Sequence, residues 1–156
     1  MIVVSTLKET QYSRLNCSKP CRPGHTNVTV LDASRLVLTS LEAVNGYRSD
    51  LLHGEAVGTG MALALRYSAR LGLMSSDEAE RGVGLIAQSG LETRLAHVPG
   101  GPYAAAPLVA AMQQDKKARA GKVPLILAKG LGKSFIYPDA DLSDVQAFLQ
   151  EELQKS

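Results

Sequence analysis

The stretch between Leu52 and Gly72 restricts the fold more than any other part of the chain. Ala56, Val57, Gly60, Met61, Ala64, Leu65 and Leu71 keep one side of it apolar at helical spacing. Gly58, Gly60 and the alanines lower helix propensity in isolation, so their use here is steric. Small residues let a neighbouring backbone come close, and the expected helix lies deep inside a bundle. Gly72 is a natural C-terminal stop. At the mouth of this run stands Leu51-Leu52-His53-Gly54-Glu55, a polar start that an ordinary buried helix does not need.

Other helical segments follow. Asp32 is placed to cap a helix over Ala33–Val44, with Leu36, Leu38, Leu41 and Val44 on its apolar side and Asn45-Gly46 ending it. Ser75 with Glu78 reads as a capping box for a helix to about Ser89, stopped by Gly90. Pro107 suits the first turn of a helix running to Lys117. The period then changes. Leu125–Ala128 and Ser134–Tyr137, on either side of Gly130 and Gly132, predict a β-hairpin. Ser143, with Gln146 three residues on, caps a last amphipathic helix carrying Val145, Phe148, Leu149 and Leu153. The fold class is therefore mainly α: a helical bundle with one small β-hairpin near the C-terminus. Strands and helices do not alternate and no glycine fingerprint follows a strand, which excludes a Rossmann half.

Residues 1–41 differ in character. Prolines, Cys17, Cys21 and scattered Ser, Thr and Asn interrupt any helical period before residue 30 or so, and the segment reads as an irregular arm ahead of a helical domain over 42–156. At 156 residues, 45% hydrophobic, 21% charged and a net charge of +2, the chain is globular. Its basic residues form no stripe and few aromatics accompany them, which argues against nucleic acid as a partner. No apolar run approaches a membrane span, no signal peptide opens the chain, and two cysteines make no disulfide framework. A soluble cytoplasmic protein is the expectation.

From Glu42 onward three motifs occur in order: "EAVNGYRSDLLHGEAVGTGMALALRYSARLGL", "GLETRL" and "MQQDKKARAGKVPLILAKGLGKSF". Together they resemble the helical C-terminal domain of the 3-dehydroquinate synthases, sugar-phosphate cyclases of the shikimate pathway. The resemblance implies a zinc- and NAD-dependent enzyme whose N-terminal NAD-binding domain closes a cleft against this one. It would convert 3-deoxy-arabino-heptulosonate 7-phosphate to 3-dehydroquinate and phosphate. His53 stands where the family places a zinc ligand, and a neutral imidazole suits that metal. Lys116 and Lys117 stand where the family contacts the substrate phosphate, a task for a compact ammonium. Without the resemblance His53 reads as a capping or core residue, the lysine pair as a solvated helix end, and Glu55 as a first-turn acid complementing the helix dipole.

The pattern also departs from the family. The resemblance places a second zinc ligand and a catalytic histidine near positions 35 and 39, where this chain has Arg35 and Thr39. Gly24-His25-Thr26 lies well upstream. His25 rejoining the site by a looped-out insertion, and a separate metal held by Cys17, Cys21 and His25, both stay open. The NAD-binding domain and the remaining zinc ligand have no counterpart in the sequence, so the chain alone is expected to be inactive, with no catalytic residue or cofactor-binding residue of its own. Two other readings stand beside this one. One is a related cyclase of the inosose or valiolone type. The other is a non-catalytic helical module whose uncovered cleft wall drives homo-oligomer formation.

Overall fold

The computed structural model describes residues 40, 41, 43, 44, 53–114 and 122–155. Ser40, Leu41, Ala43 and Val44 are helical, and Leu41 is completely buried. The bundle is then built from α1 (His53–Arg70), α2 (Ser76–Gln88), a single 3₁₀ turn (Leu95–His97) and α3 (Ala105–Gln113). A hairpin of β1 (Lys122–Ala128) and β2 (Ser134–Asp141) follows, and α4 (Leu142–Gln154) ends it. This is the predicted class, a helical bundle with one two-stranded antiparallel hairpin near the C-terminus.

α1 ends as its sequence dictates. Gly72 takes φ +71°, and the amides of Gly72 and Leu73 return to the carbonyls of Ala69 and Ser68. That 5→2 and 6→1 pair is a Schellman cap, which satisfies two carbonyls the helix leaves open. Met61, Leu63, Leu65 and Tyr67 face the core together with Leu95, Leu108, Met112, Val123 and Leu149. The Tyr67 and Phe148 rings meet at 5.0 Å between centroids, joining α1 to α4.

Gly58 in α1 does what the small-residue pattern implied, and Gly82 in α2 is as tightly placed. A Cβ on Gly58 would stand 2.7 Å from Leu91 Cβ and 2.9 Å from the Glu92 carbonyl oxygen. One on Gly82 would meet Leu131 and Leu65 methyls at 2.7 and 2.8 Å. Both distances are below any real side-chain contact, so α1 reaches its neighbours only because these positions lack a side chain.

Three local expectations are corrected. Ser75 does cap α2, its Oγ accepting from the Glu78 amide at 3.2 Å. The reciprocal half of the box, however, is replaced: Glu78 Oε1 accepts from the Leu131 amide in the hairpin turn at 2.9 Å. A long-range donor has won over the local one, and the start of α2 is thereby tied to the β-turn. The cap of α4 is Asp141, whose Oδ1 accepts from the Ser143 amide at 2.8 Å and from the Ser143 hydroxyl. An aspartate one step before the helix outcompetes the serine inside its first turn. α3 closes at Gln113 with Gln114 as its cap, short of Lys117. The hairpin pairs Leu125 with Tyr137 and Ala128 with Ser134 as expected. Its strands run further, to Lys122 opposite Asp141, across an irregularity between Val123 and Leu125 where Pro124 has no amide to donate.

Candidate functional site

Of the residues expected to carry function, His53 is described in its backbone alone: it is the first residue of α1. Lys116 and Lys117 lie outside the described residues, as do Cys17, Cys21, His25, Arg35 and Thr39. Apart from the backbone of His53, the predicted site residues therefore lie outside the described residues. What the structure does show is how the mouth of α1 is held and which groups there have no partner.

The first turns of α1 rest on the segment from Leu91 to Arg94. Leu91 Cδ2 lies 3.8 Å from where a Cβ on Gly54 would be, Gly58 abuts Leu91 and Glu92, and the buried Thr59 hydroxyl donates to the Glu92 carbonyl at 3.2 Å. The segment is itself stiff. Glu92 Oε1 accepts from the amides of Thr93 and Arg94, each at 2.8 Å, and the Thr93 carbonyl accepts from Arg66 Nη1 at 2.9 Å. Sequence reasoning picked out "GLETRL" as a motif but gave it no task. Its signal was the pair Gly58-Thr59, a close-approach residue beside a hydroxyl on a face otherwise apolar.

Glu55, the acid of the first turn, has an Oε2 buried from solvent with no hydrogen-bond partner. A buried carboxylate oxygen left unpaired is costly, so this end of α1 holds an acceptor that no described residue uses. Among the described residues no group of three His, Cys, Asp or Glu side chains is placed to hold a metal ion.

The far half of α1 is different. A groove of about 220 Å³ is lined by Arg66, Arg70, Glu80, Glu151, Glu152 and Lys155 among others, and its charges neutralise one another. Arg66 contacts Glu80 at 2.9 Å and Glu152 at 3.4 Å, Arg70 contacts Glu151 at 2.6 Å and Asp144 at 3.3 Å, and Lys155 also binds Glu152. The Tyr67 hydroxyl donates to Asp144 at 2.8 Å, and burial followed by that bond raises the phenol well above its ordinary pKa. From His53 to Arg66 the helix rises about 20 Å, so this groove is not part of the mouth.

The sequence matches the family model described as 3-dehydroquinate synthase C-terminal over residues 38–118. The chain belongs to the 3-dehydroquinate synthase family. It is 48% identical over 113 residues to the 3-dehydroquinate synthase of Caulobacter vibrioides, a stretch covering 72% of this chain and 30% of that protein. The 3-dehydroquinate synthase of Sinorhizobium medicae is 44% identical over 117 residues, 74% of this chain and 31% of that one. The chain thus spans less than a third of these relatives. A solved 2-deoxy-scyllo-inosose synthase, complexed with carbaglucose-6-phosphate, NAD+ and Co2+, superimposes with a TM-score of 0.61 over 77% of this chain and 32% of that one. Its sequence identity is 16%, so this likeness concerns the fold.

Proposed function

We propose that this chain is the zinc- and phosphate-binding C-terminal domain of a 3-dehydroquinate synthase, a carbon–oxygen lyase of the shikimate pathway, active only with an NAD-binding domain. The observation that carries the reading is the match of residues 38–118, which include His53 and the Leu91–Arg94 turn, to the family model, with 48% identity over 72% of this chain to a relative of that name. The sequence relatives favour this substrate over an inosose-type one, because identity to the inosose synthase is low while the named synthases stand at 42–48%.

In this reading His53 is a zinc ligand at the start of α1, and Lys116 and Lys117 bind the phosphate of the heptulosonate. Bound zinc would supply Lewis-acid polarisation of the substrate hydroxyls. The chain's own contribution is placement. α1 carries His53 at its first position, and the Leu91–Arg94 turn seats α1. The segment carrying the two lysines runs between Met112, buried at the end of α3, and Val123, buried at the start of β1. Both flanks are therefore anchored in the core while the lysines lie between them. NAD would be held by the partner domain. Among the described residues no helix is long and apolar enough to cross a membrane, and a cytoplasmic location is in keeping with this role.

The test is complementation. The chain is purified, and zinc content and phosphate release from 3-deoxy-arabino-heptulosonate 7-phosphate with NAD are measured alone and after mixing with the separately expressed NAD-binding domain of the Caulobacter relative. Release only on mixing supports the proposal. Release by the chain alone contradicts the need for a partner. No metal and no release in either case contradicts the enzymatic reading and leaves a non-catalytic helical module.

A further inference from the structure

We infer that Gly58 and Thr59 are positioning residues: by seating α1 on the Leu91–Glu92 turn they set the direction of its first turns and so the place of the His53 ligand. The inference rests on the reading of His53 given above, and extends it to residues that touch neither metal nor substrate.

The argument is one of leverage. The C-terminal half of α1 is pinned at several points. Arg66 binds the Thr93 carbonyl and Glu152, Tyr67 binds Asp144, and the buried Ser68 hydroxyl accepts from the Ala128 amide at 2.9 Å. The N-terminal half buries Ala56 and Val57 in the core, but its one polar anchor among the described residues is the Thr59 bond to the Glu92 carbonyl, beside Gly58. A group forced in at Gly58 displaces the first turns relative to the pinned half.

A methyl group on Gly58 would meet Leu91 Cβ at 2.7 Å and the Glu92 carbonyl oxygen at 2.9 Å. Neither obstacle can rotate away, since one is a Cβ and the other is backbone. The turn cannot easily retreat either, because the Glu92 carboxylate closes it from inside and Arg66 holds it from α1. Relief to ordinary contact needs about 1 Å at Gly58. With the pivot near Tyr67, that becomes about 1.5 Å at His53. Metal–ligand distances tolerate only about 0.2 Å, so the tilt matters to a ligand even where the fold survives it.

Gly82 supplies the control. Its substitution is also crowded, but the obstacles are the methyl ends of Leu131 and Leu65, in the body of the domain. Gly82→Ala lowers stability without moving the mouth.

The experiment titrates Co2+ into the complex of this chain with the NAD-binding domain, reading the d–d absorption, and records melting of each variant. Gly58→Ala is expected to raise the Co2+ Kd roughly tenfold or more, and the added substitution Leu91→Gly, which removes the Cβ obstacle, is expected to recover part of that loss. Gly82→Ala is expected to lower the melting temperature with the Kd unchanged. Thr59→Val, which deletes only the hydrogen bond to Glu92, is expected to raise the Kd roughly threefold, with Thr59→Ser close to the parent; this pair answers the question if Gly58→Ala does not fold. Equal Kd values for the parent, Gly58→Ala and Thr59→Val overturn the inference, as does an equal rise in Gly82→Ala. Failure of the parent complex to bind Co2+ instead overturns the reading of His53 on which the inference stands.

Discussion

The two halves of α1 serve different ends. The half from Arg66 to Arg70 is saturated with partners: Arg66 has two carboxylates and a carbonyl, Tyr67 has Asp144, and Ser68 spans the Ala64 carbonyl and the Ala128 amide. The half from His53 to Thr59 has one carboxylate oxygen buried without a partner, a glycine-lined seat, and a histidine at its tip. Polar groups that exist to hold a fold find their partners within it. Among the described residues of α1, the buried acceptor without a partner, Glu55 Oε2, lies at that end.

That contrast can be broken or sharpened by substitution, beginning where the effect is largest. Glu152 is 4% exposed and receives both Arg66 and Lys155. Glu152→Ala is expected to cost about 2 to 3 kcal/mol in urea unfolding, somewhat less than a wholly orphaned buried pair because Arg66 keeps Glu80 and the Thr93 carbonyl. Ser68→Ala leaves the buried Ala128 amide without its acceptor and is expected to cost about 1 to 2 kcal/mol.

Tyr67→Phe removes the bond to Asp144 and is expected to cost about 1 kcal/mol at neutral pH. It also changes the alkaline behaviour. The phenol's folded pKa is raised by burial and by Asp144, so its contribution is complete below the unfolded value near pH 10 and is lost as pH rises toward the folded value. The parent should lose stability above about pH 10, and Tyr67→Phe should lose less. At the other end of the helix, Glu55→Gln is expected to leave stability unchanged or raise it by up to about 1 kcal/mol, because a neutral amide costs less to bury than an unpaired carboxylate oxygen. A loss above about 1 kcal/mol there would show that Glu55 has a partner within the fold, and would erase the contrast.

The sequence carried much of this body. Glycine and alanine at helical spacing announced a close-packed α1, and Leu125–Ala128 against Ser134–Tyr137 gave the hairpin register, because apolar periodicity and turn glycines are local signals. The misread caps share one cause. Glu78 and Asp141 had several donors within reach, and which one each accepts is decided by tertiary placement or by a one-residue difference in where the helix starts. Arg66 meeting Glu152 and Tyr67 meeting Asp144 were illegible for the same reason, since those pairs lie 86 and 77 residues apart. Of the site, the sequence yielded His53 as a position and the lysine pair as a motif. The seat of the first turns of α1, Gly58 and Thr59 on Leu91 and Glu92, needed the fold.

The central claim is that His53 belongs to a metal site and not to the scaffold, and His53→Ala tests it most directly. The substitution is made in the chain, its thermal melting is compared with that of the parent, and zinc uptake is measured in the complex with the NAD-binding domain. The account predicts a melting temperature within a degree or two of the parent's and loss of the bound zinc. A melting temperature lower by many degrees, with zinc uptake unchanged, would show the histidine to be part of the scaffold and would contradict the account.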